Sequence, residues 1–169
     1  MKRAIVIGAT SGIGRAVAER LAAAGYRVGV TGRRGALLDE LAAANPGAFC
    51  CAEADVTDPA ASCAALDALA GELGGVDLCV VSAGAGELNP GLDYALEEPA
   101  IRTNVVGWTA ATERRLRTAR SSWSATLPTG ITQNSPSPLA IAVAASPGRM
   151  SVTKIGSRDL AARCRSPSA

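Results

Sequence analysis

The start of this chain constrains its fold more than any other stretch. Ala4-Ile5-Val6-Ile7 is a short apolar run, followed at once by Gly8-Ala9-Thr10-Ser11-Gly12-Ile13-Gly14. A run of this length without polar alternation fits a strand buried on both faces. Beyond the glycines, Ile13, Val17, Leu21 and Ala24 recur at helical spacing, and Gly25 supplies a stop. A strand, a glycine turn and an amphipathic helix in succession put the free N–H groups and positive dipole end of a helix at the mouth of a loop with few side chains. Gly8 lets the chain turn off the strand, Gly12 lets backbone approach an anion without a Cβ in the way, and Gly14 permits close helix–strand packing. Thr10 and Ser11 add hydroxyl donors. The ligand that suits such a loop is a pyrophosphate, held by Gly8, Thr10, Ser11, Gly12, Ile13 and Gly14.

The alternation continues to about residue 117. Arg27 to Thr31 is expected as a second strand, Ala48 to Ala52 as a third and Asp77 to Val81 as a fourth. Leu37, Leu38 and Leu41 mark a second helix, ended by Asn45-Pro46-Gly47. Asp58-Pro59 opens a third, with Asp as N-cap and Pro in the first turn, and Leu66, Leu69 and Leu73 form its apolar stripe. A longer helix is expected over Ala95 to Arg117. Strands separated by helices predict a parallel sheet with right-handed crossovers, covered on both faces. The fold class is therefore α/β, a Rossmann-like doubly wound parallel sheet, incomplete at its C-terminal side.

Strand two bears on the choice of dinucleotide. Folds that bind NAD usually carry an acid about 20 residues after the glycines to hold the ribose 2′-hydroxyl. Here the strand ends Val30-Thr31-Gly32-Arg33-Arg34, with glycine in place of the acid and two guanidinium groups after it. An Asp would repel a 2′-phosphate, whereas Arg can hold one through paired, charge-assisted hydrogen bonds. NADP(H) is favoured over NAD(H), with Arg33 on the 2′-phosphate and Arg34 in support.

Composition removes other classes of chemistry. The chain has no His, which excludes His-based acid–base catalysis, His metal ligands and a Ser-His-Asp triad. Five Cys without C-x-x-C spacing argue against structural zinc and against a paired disulfide framework, so no metal is expected. Cys63 and Cys79 read as small buried hydrophobes. A net charge of +2 gives no reason to expect nucleic acid or an anionic membrane as partner, and no apolar run has the length of a spanning helix. The expected setting is cytoplasmic. Composition also breaks near residue 117: of 15 acidic residues only Asp159 follows it, together with five of the nine Pro. The chain divides accordingly into a dinucleotide-binding domain, 1–117, and a Ser/Pro/Arg-rich tail, 118–169. Within that tail Leu139 to Ala145 is expected as one short strand. Arg114, Arg115 and Arg117 are read as compensating a helix C-terminal dipole.

These residues resemble the short-chain dehydrogenases/reductases over about 1–117. That family's T-G-x-x-x-G-x-G pattern is matched from Gly8 to Gly14, with Ile7 in place of Thr. Its D-[VL] pair after strand three is matched by Asp55-Val56, which the resemblance places at the adenine. Its N-N-A-G after strand four is matched in its second half by Val81-Ser82-Ala83-Gly84, which places Ala83 and Gly84 under the nicotinamide ribose. Thr103-Asn104-Val105 resembles the segment with the family's active-site Asn, so Asn104 is the one catalytic residue carried over. Without a proton donor beside it, Asn104 is expected to position a water or helix backbone. The resemblance implies hydride transfer between a nicotinamide and a carbonyl or alcohol, and a homo-oligomer assembled through helices four and five, of which the fifth is not recognisable here.

The family's proton-handling pair does not carry over. A Tyr with a Lys four residues on shares one helix face, and the Lys lowers the phenol's pKa. This chain has only Tyr26 and Tyr94, followed at that distance by Val30 and Glu98. The best ungapped match in the tail puts Val143 at the Tyr position and Pro147 at the Lys position, with Thr132 and Ser135 near that of the family's Ser. Residues from about 118 therefore read as a frameshifted or degenerate remainder, or as a disordered interaction tail. Strand four is expected to leave an exposed sheet edge. Three functions stay open: an impaired NADP-dependent oxidoreductase, a non-catalytic NADP(H)-binding protein, and an interaction module on a truncated sheet.

Overall fold

The computed structural model describes residues 1–112, 125–126, 140–146 and 149–155, the last three segments as backbone only. Strand β1 (Arg3–Ile7) leads through the glycine loop to α1 (Gly12–Ala23), β2 (Arg27–Gly32), α2 (Gly35–Ala44), β3 (Phe49–Glu53), α3 (Pro59–Leu73), β4 (Leu78–Val81) and α4 (Tyr94–Ile101). A π-helical segment, Arg102–Gly107, continues α4, and α-helix resumes through Thr112. Three further strands follow: β5 (Ala125–Thr126), β6 (Ala140–Ser146) and β7 (Arg149–Ile155). The sheet order is β3-β2-β1-β4-β6-β7-β5, with its first four strands mutually parallel.

The period-2 alternation of β1 divides the core. Ala4 and Val6, with Val28 and Val30 of β2, pack against Ala18 of α1 and Leu38 and Leu41 of α2. Ile5 and Ile7, with Cys79 and Val81 of β4, face Leu66, Leu69 and Leu73 of α3 and Ala111. Cys79 belongs to this core as expected, whereas Cys63 is half-buried. Asp58 caps α3 by accepting from the Ala60 and Ala61 amides, both at 3.0 Å, and Gly74 ends that helix in the left-handed region. Because β1 lies between β2 and β4, the connections after β1 and β3 run in opposite directions, and a cleft opens at the C-terminal ends of these strands.

Two expectations are corrected. Strand β4 has no open edge: β6 pairs with it antiparallel, Val143 opposite Cys79. Its β-branched Ile141 and Val143 suit the extended backbone that completes this ladder. The expected strand near 139–145 is thus found, but Val143 stands in a strand and not on the helix that alignment with the family's Tyr would require. Second, helix four is not one regular α-helix, because the π-helical segment interrupts it. The part of that helix beyond 112, the cluster Arg114, Arg115 and Arg117, and Thr132, Ser135 and Pro147 lie outside the described residues.

At the opposite end of the sheet, Arg3 ties β1 to the start of β4. Asp77 Oδ2 accepts from the Arg3 backbone N–H at 2.8 Å and from Nε at 3.0 Å, while Oδ1 accepts from Nη2 at 3.0 Å. These side-chain bonds, against a smaller opposing effect of burial, hold the Asp77 carboxyl below its ordinary 3.8. Its contribution to stability is therefore complete at neutral pH and is lost as pH falls below about 4 through the lowered native value. Asp77→Asn is expected to flatten that acid limb. Urea midpoints of both proteins at pH 7 and pH 3 check this, with the difference between them shrinking at the lower pH.

Candidate cofactor-binding site

The glycine loop is a stack of three backbones. Gly8 has φ +86°, and a Cβ there would lie 2.6 Å from the Ala83 nitrogen. A Cβ on Gly14 would collide with the Gly8 carbonyl oxygen and sit 3.2 Å from Ser82 Cβ. The loop is fixed from β2 as well, since the Gly8 and Ala9 amides both donate to the Thr31 carbonyl, at 2.8 and 3.0 Å. Gly12, at φ +58°, has no atom within 4 Å of the corresponding position. Gly8 and Gly14 are thus closed by packing, while Gly12 faces open space.

That space is a cleft of about 260 Å³ across the ends of β1, β2 and β4. Gly8, Thr10, Ser11, Gly12 and Ile13 line its β1–α1 side, and Gly32, Arg33 and Arg34 its β2 side. Asp55 and Val56 line it after β3, and Ala83 and Gly84 after β4. Of the expected cofactor residues only Gly14 stays behind the wall, where it seats α1. Ala54, Ser82 and Thr103 also line the cleft and were missed. Ser82 and Thr103 directly adjoin the matched motif residues, which was the signal available.

Ser11 occupies the N-cap position of α1 in extended conformation, yet its side chain makes no capping bond. Its Oγ accepts instead from Arg34 Nη2 at 2.6 Å, and Thr10 Oγ1 accepts from the same nitrogen at 2.9 Å. Arg33 faces Asp55, with Nη1 4.0 Å from Oδ2. Asp55 Oδ1 accepts from the Thr57 amide at 2.9 Å and its hydroxyl at 2.8 Å. Burial pushes the Asp55 carboxyl up, but those bonds and the Arg33 charge outweigh it and leave it below the ordinary range.

Asn104 lies in the π-helical segment, exposed, and does not line the cleft. Its Oδ1 accepts from the Ala85 amide at 3.0 Å and its Nδ2 donates to the Ala85 carbonyl at 2.6 Å. It therefore holds the backbone of the loop after β4, where a water or a helix backbone was expected, and joins helix four to that loop. Gly107 seats the same segment against the loop after β3: a Cβ there would lie 2.6 Å from the Val56 carbonyl oxygen. Neither tyrosine reaches the cleft. Tyr26 precedes β2 at the far end of the sheet, with Lys2 Nζ 5.8 Å from its ring centre. Tyr94 opens α4, where the sequence suggested a position just before it, and is 68% exposed.

A doubly wound sheet with a glycine loop at its switch point defines a dinucleotide-binding class of α/β protein. The sequence profile described as short chain dehydrogenase matches residues 2–124, and the chain belongs to the short-chain dehydrogenase family. It is similar to a D-threitol dehydrogenase of Mycolicibacterium smegmatis, 38% identical over 57% of this chain and 38% of that protein. It is also similar to a serine 3-dehydrogenase of Agrobacterium fabrum, 37% identical over 68% of this chain and 47% of that one. Among solved structures, an F189W actinorhodin polyketide ketoreductase with NADPH superposes with a TM-score of 0.63 at 30% identity, over 69% of this chain and 46% of the other. The chain thus spans less than half the length of these relatives. Among the described residues no helix is long and apolar enough to cross a membrane.

Proposed function

We propose that this chain binds NADP(H) in preference to NAD(H) in the cleft over β1, β2 and β4, as the cofactor-holding part of a cytoplasmic short-chain oxidoreductase with impaired turnover. The observation that carries the reading is the pair Arg33 and Arg34 lining the cleft beside Gly32, where an NAD site would place an acid. The residues suit the cofactor: the uncapped start of α1 and the open face of Gly12 receive the pyrophosphate, Asp55 and Val56 flank the adenine, and Ala83-Gly84 lie under the ribose next to the nicotinamide. When bound, the reduced nicotinamide supplies a hydride to a carbonyl carbon. The accompanying proton needs a donor, and neither Tyr26 nor Tyr94 reaches the cleft, while both polar ends of Asn104 are engaged by Ala85. General acid catalysis is typically worth about 10²–10⁴ in rate, which sets the scale of the impairment. The pairing of β6 with β4 takes one support, the open β4 edge, from the alternative of an interaction module built on sheet edge and tail, and so favours the binding reading.

Titrating the full chain with NADPH and NADH, followed by nicotinamide fluorescence, tests the first part. NADPH is expected to bind at least about tenfold more tightly, the scale of one charge-assisted hydrogen-bond pair. The same samples, given a panel of aldehydes and ketones, are expected to oxidise NADPH far below about 10 s⁻¹, an ordinary enzymatic rate. Failure to bind either dinucleotide defeats the reading, and turnover at that ordinary rate defeats the impairment.

A further inference from the structure

We propose that the two adjacent arginines divide the work: Arg33 discriminates the 2′-phosphate, while Arg34 is a positioning residue that prepares the glycine loop for any dinucleotide. The inference rests on the binding reading above and assigns Arg34 a part that the two residues' adjacency does not suggest.

Three observations carry it. First, Arg34 donates one nitrogen to the hydroxyl oxygens of Thr10 and Ser11, residues 24 and 23 positions earlier in the chain. Because both oxygens accept from the guanidinium, their own protons must point elsewhere, so both hydroxyls remain available as donors at the cleft wall. Donation by a cation also polarises each hydroxyl and strengthens the bond it then gives. Second, Ser at an N-cap ordinarily accepts from the amides of the first helical turn. Here the Ser11 side chain makes no such bond, and with its oxygen drawn to Arg34 it leaves the first-turn amides of α1 for an anion. Third, Arg33 is held differently. Its Nη1 lies 4.0 Å from the Oδ2 of an Asp55 whose Oδ1 is occupied by Thr57, so its ion-pair partner belongs to the loop after β3 and not to the glycine loop. Pyrophosphate is common to NADP(H) and NAD(H), whereas the 2′-phosphate belongs to NADP(H) alone. The two arginines are therefore separable by which ligands they affect.

Calorimetric titration of the full-length chain and its Arg33→Ala and Arg34→Ala variants with NADPH and NADH tests the division. Arg33→Ala is expected to weaken NADPH about ten- to hundredfold and to leave NADH within about twofold. Arg34→Ala is expected to weaken both by a similar factor, about tenfold, keeping the NADPH-to-NADH ratio near that of the parent. Arg34→Lys, which keeps charge but not the fork, is expected to recover less than half of that loss in free energy. In the Arg34→Ala background, a further Ser11→Ala is expected to cost less than it does in the parent, since the two act as one unit. Melting curves without ligand accompany each variant, and Arg34→Lys carries the test if Arg34→Ala does not fold. The proposal is overturned if Arg34→Ala removes only the preference for NADPH, or if the Arg34 and Ser11 substitutions are additive. A parent chain that binds neither dinucleotide is a different outcome, which defeats the binding reading itself.

Discussion

Gly14→Ala is expected to destabilise the chain by more than about 3 kcal/mol, the upper range of ordinary overpacking, and to give a protein that melts at least about 10 °C lower or fails to fold. The added methyl group is directed at the Gly8 carbonyl oxygen, which is backbone and cannot turn aside as a flexible side chain would. Gly8 cannot retreat either, because its own missing Cβ is matched by the Ala83 nitrogen at 2.6 Å, and its amide is bound to Thr31. Moving one layer of this stack moves α1, β1 and the loop after β4 together. Gly12→Ala is the control. It meets no atom within 4 Å, so its cost is that of a left-handed non-glycine residue, about 1–2 kcal/mol. That variant is expected to fold yet lose dinucleotide affinity about tenfold or more, because Gly12 lines the cleft proposed for the pyrophosphate and a side chain there hinders close backbone approach. Thermal melting with dinucleotide titration separates the two glycines, and equal loss of stability in both variants would contradict the stack.

The proposed preference for NADP(H) is expected not to reverse by placing an acid at the end of β2 alone. A Cβ at Gly32 would lie 2.6 Å from Thr10 Cγ2, so Gly32→Asp displaces the residue whose hydroxyl receives Arg34. Gly32→Asp by itself is expected to weaken both dinucleotides. Adding Thr10→Ser removes the methyl group while keeping the hydroxyl for Arg34. In that double variant NADH binding is expected to return, and the NADPH-to-NADH preference to move toward NADH by on the order of 100-fold, since apposing two like charges costs several kcal/mol. Competition titrations against both dinucleotides check this. If Gly32→Asp alone switches preference without loss of NADH affinity, the steric role assigned to Thr10 is wrong. Gly32 is in that sense a packing residue as well as the absence of an acid.

Several features were readable because they follow from neighbours in the chain. The unbroken apolar run of Ala4 to Ile7 specifies a strand covered on both faces, and both cores are there. Asp58-Pro59 specifies a capped helix start, and two amides bond the Asp58 carboxylate. The interruption of helix four was not readable: Pro99 and Asn104 leave the apolar spacing intact, and the π-helical turn coincides with the seating of Gly107 on Val56 and the hold of Asn104 on Ala85. The pairing of β6 with β4 was equally invisible, since the strand itself shows in its β-branched residues but its partner and direction do not.

The parallel α/β order, the glycine loop and the guanidinium pair in place of an acid were thus determined by sequence alone, because periodicity, left-handed turns and residue charge are local properties. Tertiary structure alone decided that Ser11 turns from its helix to Arg34, that Thr10 leaves no room for a side chain at position 32, and that Asn104 grips backbone rather than facing the cleft. Each of these depends on atoms brought together from about 20 residues apart or more, and such contacts have no periodic trace in the chain.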